Sequence, residues 1–106
     1  IEYYSYGSLI RNKINNQLGG KLRAFVSGGA ALNPDIGNFF LALGIKILQG
    51  YGQTESSPLI SANRPEKIRI DTVGPAVKGI EVKLGEDGEL LVKGDCVMKG
   101  YWQDSY

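Results

Sequence analysis

Histidine is absent from this chain, and cysteine occurs once, at Cys96. The first absence removes the commonest general base and the commonest metal ligand. The second leaves no partner for an internal disulfide and fits a reducing compartment. Cysteines or acidic residues at metal-binding spacing are missing too, as is the Gly-x-x-x-x-Gly-Lys-Ser/Thr phosphate loop. No apolar run approaches the roughly 20 residues that cross a bilayer, and no segment has the layout of a secretion signal. Lys and Arg number 12 against 11 Asp and Glu, a net charge of +1, and neither sign clusters. That balance gives no support to a nucleic-acid surface or a polybasic membrane patch. Repeats and low-complexity segments are also absent. What remains is 106 residues of near-average globular composition, enough for one small domain with a modest core.

Several elements are legible. Leu9, Ile10, Ile14 and Leu18 recur at helical spacing from Ser5 or Ser8, with Arg11 and Lys13 on the wet side and Gly19-Gly20 as the stop. Leu22 to Val26 reads as a short strand that leaves through Ser27-Gly28-Gly29. Asn33, Pro34 and Asp35 supply an N-cap, a first-turn proline and an acid at the positive end of the dipole. Ile36, Phe39, Phe40 and Leu43 then form an apolar face that Gly44 closes. Ile45 to Leu48 reads as the end of a buried strand. Helix, strand, helix, strand with short connections implies parallel neighbours joined by a crossover helix. Both glycine-rich exits then fall on one edge of the sheet, and a shared site is expected there. Ser56 to Asn63 is small and polar, and Arg64 to Asp71 reads as a charged connection. Beyond Val73-Gly74-Pro75, the alternating Ile80 to Leu84 pairs with Glu89 to Lys93 across Asp87-Gly88, a strong hairpin turn. The fold expected is α/β: a helix-strand-helix-strand piece of a mostly parallel sheet over residues 1–72, then a small antiparallel β unit over 73–106.

Gln49-Gly50-Tyr51-Gly52-Gln53-Thr54-Glu55 is the stretch richest in chemistry. Glycines at a strand exit allow close approach of the backbone to a ligand, and ligands of open α/β sheets bind beyond strand carboxyl ends. Tyr51 offers a face for stacking, Thr54 a hydroxyl for an anionic oxygen, and Glu55 a hard oxygen ligand for Mg²⁺. Each also has a plainer reading. Gly28-Gly29-Ala30-Ala31 serves equally as a tight turn, Tyr51 as packing, Thr54 as a cap, and Glu55 as a solvated charge. Cys96 reads as a small buried hydrophobe. Tyr101 and Trp102 read as packing of the β unit, and Lys93 and Lys99 as solvated.

Tyr51-Gly52-Gln53-Thr54-Glu55 resembles the Tyr-Gly-x-Thr-Glu signature of the adenylate-forming superfamily, which includes acyl-CoA synthetases, luciferases and peptide-synthetase adenylation domains. Ser27-Gly28-Gly29-Ala30-Ala31-Leu32 resembles that family's second nucleotide-contacting loop. Gly74-Pro75, Gly88 to Gly94 and Val97-Met98-Lys99-Gly100-Tyr101-Trp102 follow in the family's order, and the last two look closest to long-chain fatty-acid–CoA ligases. The resemblance implies that Gly28, Gly29, Ala30, Ala31, Gly50, Tyr51, Gly52, Gln53 and Thr54 bind ATP or AMP. Tyr51 would stack on adenine, Gly52 leave room for the ring and acyl group, Thr54 contact phosphate and Glu55 ligate Mg²⁺. Gln53 fills a variable position. Ala31 departs from the proline common in the family, which leaves the loop less rigid.

The activity implied is two-step ligation of a fatty acid to coenzyme A through acyl-AMP. Positioning and charge neutralisation carry such chemistry without a protein nucleophile, in keeping with a chain lacking His. The family's phosphate-binding loop belongs upstream of Ile1, and its ribose-binding aspartate, hinge and catalytic lysine beyond Tyr106. The chain therefore reads as an internal piece of a longer enzyme, inactive by itself, whose partners are its parent's remaining domains. A cytoplasmic location is expected, with peripheral membrane attachment left open. Competing readings are an adenylation domain for an amino or aryl acid, a non-catalytic nucleotide- or acyl-binding module, and a purely structural α/β domain.

Overall fold

The computed structural model describes residues 2–103; Ile1 and residues 104–106, the end of the expected β unit, lie outside the described residues. The elements in order are α1 (Glu2–Gln17), β1 (Phe25–Ser27), α2 (Pro34–Ala42), β2 (Ile47–Gly52), a 3-10 turn (Thr54–Ser56), β3 (Leu59–Ala62), β4 (Glu81–Leu84) and β5 (Leu90–Lys93). They form the expected α/β arrangement, a three-stranded sheet ordered β1-β2-β3 and a separate hairpin β4-β5.

Helix α1 starts at Glu2, earlier than its capping serines suggest, and stops where glycine allows. Gly19 takes φ +84°. The Gly20 N–H donates to the Asn15 carbonyl at 2.7 Å and that of Gly19 to Asn16 at 3.0 Å, the paired bonds of a left-handed helix end. One expectation fails here. Leu9 and Ile10 are 61% and 53% exposed, so the apolar side of α1 is uncovered. Arg11 is exposed as expected, and from there donates its guanidinium to the Ala42 carbonyl at 2.7 Å, capping the end of α2.

Helix α2 begins as its sequence directs, with Asn33 Oδ1 accepting from the Asp35 N–H at 2.8 Å and Pro34 in the first turn. Its buried position, however, is Gly37, while Ile36 and Phe39 of the expected face are 49% and 61% exposed. A Cβ on Gly37 would lie 2.6 Å from Ile70 Cγ2, so the missing side chain lets the chain pass close over the helix.

Strands β1 and β2 are parallel, with Phe25 opposite Ile47, Val26 opposite Leu48 and Ser27 opposite Gln49. The main departure comes next. Strand β2 does not stop at Leu48 but runs on to Gly52, and the stretch Ser56 to Asn63, read only as small and polar, supplies β3. Gly50 pairs with Ala62, Tyr51 with Ser61 and Gly52 with Leu59, with an irregularity between Tyr51 and Gly52. The glycine run still carries backbone donors and acceptors that burial forces into pairs, and β3 provides them. Residues beyond the Gly74 turn continue the pairing: Ala62 donates to the Pro75 carbonyl and Val77 to that of Ile60. Ile45, Ile47 and Ile60 make the buried apolar core among the described residues.

The hairpin forms at Asp87-Gly88 as its turn chemistry requires, Gly88 taking φ +85° and Asp87 Oδ1 accepting from the Glu89 N–H at 3.1 Å. Glu81 faces Lys93 and Leu84 faces Leu90. The half-buried face expected of this alternation is not covered, since Val82 and Leu84 are 41% and 67% exposed. Trp102, 92% exposed, packs on neither strand. The radius of gyration is 18.2 Å, against about 13 Å for a closed domain of this length. Much apolar surface is therefore exposed.

Candidate functional site

The register of β1 against β2 decides where the glycines meet. Because Ser27 lies opposite Gln49, Gly28 and Gly29 leave β1 beside Gly50 and Tyr51. A cleft of about 770 Å³ opens there. Gly29 to Leu32 form one side, Gln49 to Gly52 the floor, and Ile70 to Val73 a further wall. The first two were expected to converge. The third comes from the end of the charged connection Arg64 to Asp71 and the start of the Val73-Gly74-Pro75 stretch, to which the sequence reading gave no part in a site.

Two buried carboxamides hold this arrangement. Gln49, 6% exposed, accepts from the Leu32 N–H at 2.6 Å and donates to the carbonyls of Ile70 at 3.3 Å and Thr72 at 3.2 Å. Asn63, 5% exposed, donates to the carbonyls of Thr72 at 2.6 Å, Arg69 at 3.2 Å and Gln49 at 3.3 Å, and accepts from the Arg69 N–H at 2.8 Å. Every polar atom of both amides is satisfied, as burial demands. Sequence reading assigned neither residue a role. A lone Gln or Asn is usually exposed, and no pattern in the sequence marks these two as buried.

Gly28, Gly29, Ala30, Ala31, Gly50, Tyr51 and Gly52 come together at the cleft, with Gly28 behind the lining against the Gly50 carbonyl. The glycines have an internal reason besides any ligand. A Cβ on Gly50 would approach the Ser61 carbonyl to 3.1 Å, and one on Gly52 would overlap the Pro58 carbonyl. Close strand packing therefore requires glycine on both sides of Tyr51 whether or not a ligand is bound. Tyr51 is half-buried, and its hydroxyl accepts from Gln53 Nε2 at 3.0 Å, which steadies the ring at the floor of the cleft.

Gln53, Thr54 and Glu55 do not line the cleft; they lie past its floor on the 3-10 turn. The cap position there falls to Gln53 rather than Thr54, with Ser56 Oγ accepting from the Gln53 N–H at 3.0 Å. Thr54 and Glu55 are exposed. Glu55 Oε1 accepts from the Tyr101 hydroxyl at 2.6 Å, and the Glu55 carbonyl accepts from the Met98 N–H at 2.9 Å. That hydrogen bond holds the Glu55 carboxyl below its ordinary value, with a backbone hydrogen bond adding to the effect, and the carboxylate in turn raises Tyr101. Tyr101, read from the sequence as packing, is thus a partner of the acid. Among the described residues no group of three or more His, Cys, Asp or Glu is placed to hold a metal ion. Glu55 keeps Oε2 available as a single carboxylate ligand, the mode usual for Mg²⁺ that shares its shell with water and phosphate.

Residues 4–102 match the family described as AMP-binding enzyme. The chain belongs to that family. A long-chain-fatty-acid–CoA ligase of Mycobacterium bovis is 39% identical over 99 residues, covering 93% of this chain and 16% of the relative. The structure is similar to that of an anthranilate CoA ligase in complex with anthranoyl-AMP, with a TM-score of 0.68 and 28% identity over 77% of this chain and 18% of that one. It is also similar to o-succinylbenzoate coenzyme A synthetase from Bacillus subtilis in complex with ATP and magnesium ion, with a TM-score of 0.65 and 26% identity over 74% and 19% of the two chains. The chain thus spans 16% of the length of the M. bovis relative.

Proposed function

We propose that this chain is part of a long-chain fatty-acid–CoA ligase, with residues 1–72 an α/β part of its AMP-binding domain and 73–106 a β hairpin of the neighbouring subdomain. In the first half-reaction a carboxylate oxygen of the fatty acid attacks the α-phosphorus of ATP, forming acyl-AMP and releasing pyrophosphate. In the second the coenzyme A thiol sulfur attacks the acyl carbonyl carbon, and AMP leaves. The observation that carries this reading is the convergence of Gly29 to Leu32 and Gln49 to Gly52 on one cleft, in a chain 39% identical to a fatty-acid–CoA ligase.

In this reading Tyr51 stacks on adenine, and Gly28 to Ala31 with Gly50 and Gly52 present backbone to the nucleotide and acyl group. Thr54 offers its hydroxyl to phosphate, beside Gln53, which steadies Tyr51. Glu55 would ligate Mg²⁺, which supplies neutralisation of phosphate charge when bound. The chain's own part is to hold two anions in line and exclude water, which suffices where no protein nucleophile acts. By itself the chain should form no acyl-AMP. The proposed location of the parent is the cytoplasm, with peripheral membrane attachment open; no described helix is long and apolar enough to cross a membrane.

A second reading, an aryl-acid ligase, is favoured by the similarity to the anthranilate CoA ligase. Pyrophosphate exchange by the full-length parent, run across fatty, aryl and amino acids, separates the two. Exchange with long-chain acids alone is expected. Glu55→Gln and Tyr51→Ala should each lower it, the former by about a hundredfold, in the range for loss of a charge-stabilising group. Exchange supported only by aryl or amino acids, or untouched by both substitutions, would overturn the proposal.

A further inference from the structure

The wall made by Ile70 to Val73 belongs to no strand or long helix, and its place is set by contacts from elsewhere. On one side Ile70 rests where Gly37 lacks a side chain. On the other, the backbone from Arg69 to Thr72 hangs from Asn63 and Gln49. Asn63 itself does not line the cleft; it borders a separate hollow behind the wall, beside Arg64, Lys67 and Arg69. Its backbone N–H and its Nδ2 both donate to the Gln49 carbonyl, at 2.9 and 3.3 Å. Gln49 in turn reaches the glycine loop through the Leu32 N–H at 2.6 Å. One connected set of hydrogen bonds therefore spans wall, floor and glycine loop.

We infer that Asn63 is a positioning residue of the nucleotide cleft: without touching the ligand, it fixes how far Ile70 to Val73 stand from Tyr51 and the glycine loop. This rests on the reading of the cleft as the nucleotide site. The bonding pattern also says what its loss would do. The Gln49 carbonyl would keep the backbone N–H of residue 63, the Thr72 carbonyl would keep Gln49 Nε2, and the Arg69 carbonyl would keep the Thr72 N–H at 3.1 Å and hydroxyl at 3.2 Å. Only the Arg69 N–H, at 2.8 Å from Asn63 Oδ1, would lose the acceptor that holds it. The wall would stay attached but range more widely, and binding would then have to order it. Such a residue acts on nucleotide affinity more than on the bond-making step.

The test uses the full-length parent with Asn63→Ala and Asn63→Ser. Its readouts are calorimetric binding of a non-hydrolysable ATP analogue, KM for ATP and for coenzyme A, kcat and melting temperature. The alanine variant loses all four side-chain hydrogen bonds of Asn63, and the cost of re-ordering the wall should weaken binding of the analogue about tenfold. The serine variant, which keeps a short hydroxyl, should lose less. KM for ATP should rise in parallel, while kcat at saturating ATP stays within about twofold and KM for coenzyme A is unchanged. Unchanged analogue affinity in the folded variants overturns the inference, as does an equal loss in every parameter together with a lowered melting temperature. Should the alanine variant fail to fold, the serine variant decides by the same criteria. A wild-type parent that does not bind the analogue removes the nucleotide reading and the inference with it. A wild type that binds, beside variants that bind equally well, removes the inference alone.

Discussion

The two sheets of this molecule are built from equally apolar strands and meet opposite fates. In β2 and β3, Ile47 and Ile60 are buried, Gln49 and Ser61 are buried with them, and so is Asn63 just beyond β3. In β4 and β5, Leu84 is 67% exposed, Leu91 is 44% exposed, and the Glu81–Lys93 ion pair at 3.5 Å stands in solvent. The hairpin owes its shape to its turn, a local cause that operates without a core. The three-stranded sheet owes its shape to segments far apart in sequence, drawn together by two carboxamides and a glycine contact. Local chemistry makes a hairpin; only distant partners make a site.

Glycine substitution should separate the two regions most strongly. Gly74 has φ +77°, and a Cβ there would overlap the Ala62 carbonyl and the Asn63 nitrogen. Gly88 has φ +85° with open space around it. Gly74→Ala combines a strained backbone with a clash and should cost about 3 kcal/mol, whereas Gly88→Ala carries the strain alone, about 1 kcal/mol. Urea unfolding of the parent reads both, and equal costs would erase the contrast drawn here.

Gln49→Leu comes next. It strips an acceptor from the Leu32 N–H and a donor from two carbonyls. A loss of about 2 kcal/mol is expected, accompanied by weaker nucleotide binding. In the hairpin, Leu84→Ser should change the stability of this chain by no more than about 0.5 kcal/mol, because the side chain is already in water. The same change in the longer parent sharpens the comparison. A cost above about 1.5 kcal/mol there would mean that other parts of the parent cover the hairpin face.

The smallest effect concerns Glu55 and Tyr101, which join the two regions. Tyr101 depresses the Glu55 carboxyl in the folded chain, so the stability this bond adds is fully present above the ordinary value of 4.5 and is lost as pH falls through the folded value. Glu55 raises the Tyr101 phenol, so at the alkaline end the bond persists below the ordinary value of 10.0 and is lost as pH climbs through the folded one. Tyr101→Phe should return the Glu55 titration, followed by NMR, towards 4.5. A titration that does not move would mean the two residues are uncoupled in solution.

Much of this was legible in the residues themselves. Asn33-Pro34-Asp35 starts α2, Gly19 and Gly44 end helices with positive φ, and Asp87-Gly88 turns the hairpin, each through bonds within a few residues. Parallel pairing of β1 with β2 followed from a helix between two short apolar runs, and with it the meeting of Gly29 with Tyr51. The third wall, β3 and the roles of Gln49, Asn63 and Tyr101 were not legible. Their partners lie 6 to 46 residues away, and no periodicity reports a hydrogen bond over that distance.

What the sequence determines by itself is therefore what neighbours in the chain can enforce: caps, turns, the strand-helix-strand order and the glycine loops. Tertiary structure alone decided that the connection after β3 becomes a wall of the cleft, because only folding brings a buried carboxamide within 2.6 Å of the carbonyl of Thr72. It also decided that the acid on the 3-10 turn meets a tyrosine from the β unit. Bonds of that kind are made between surfaces, and surfaces exist only after the chain has closed on itself.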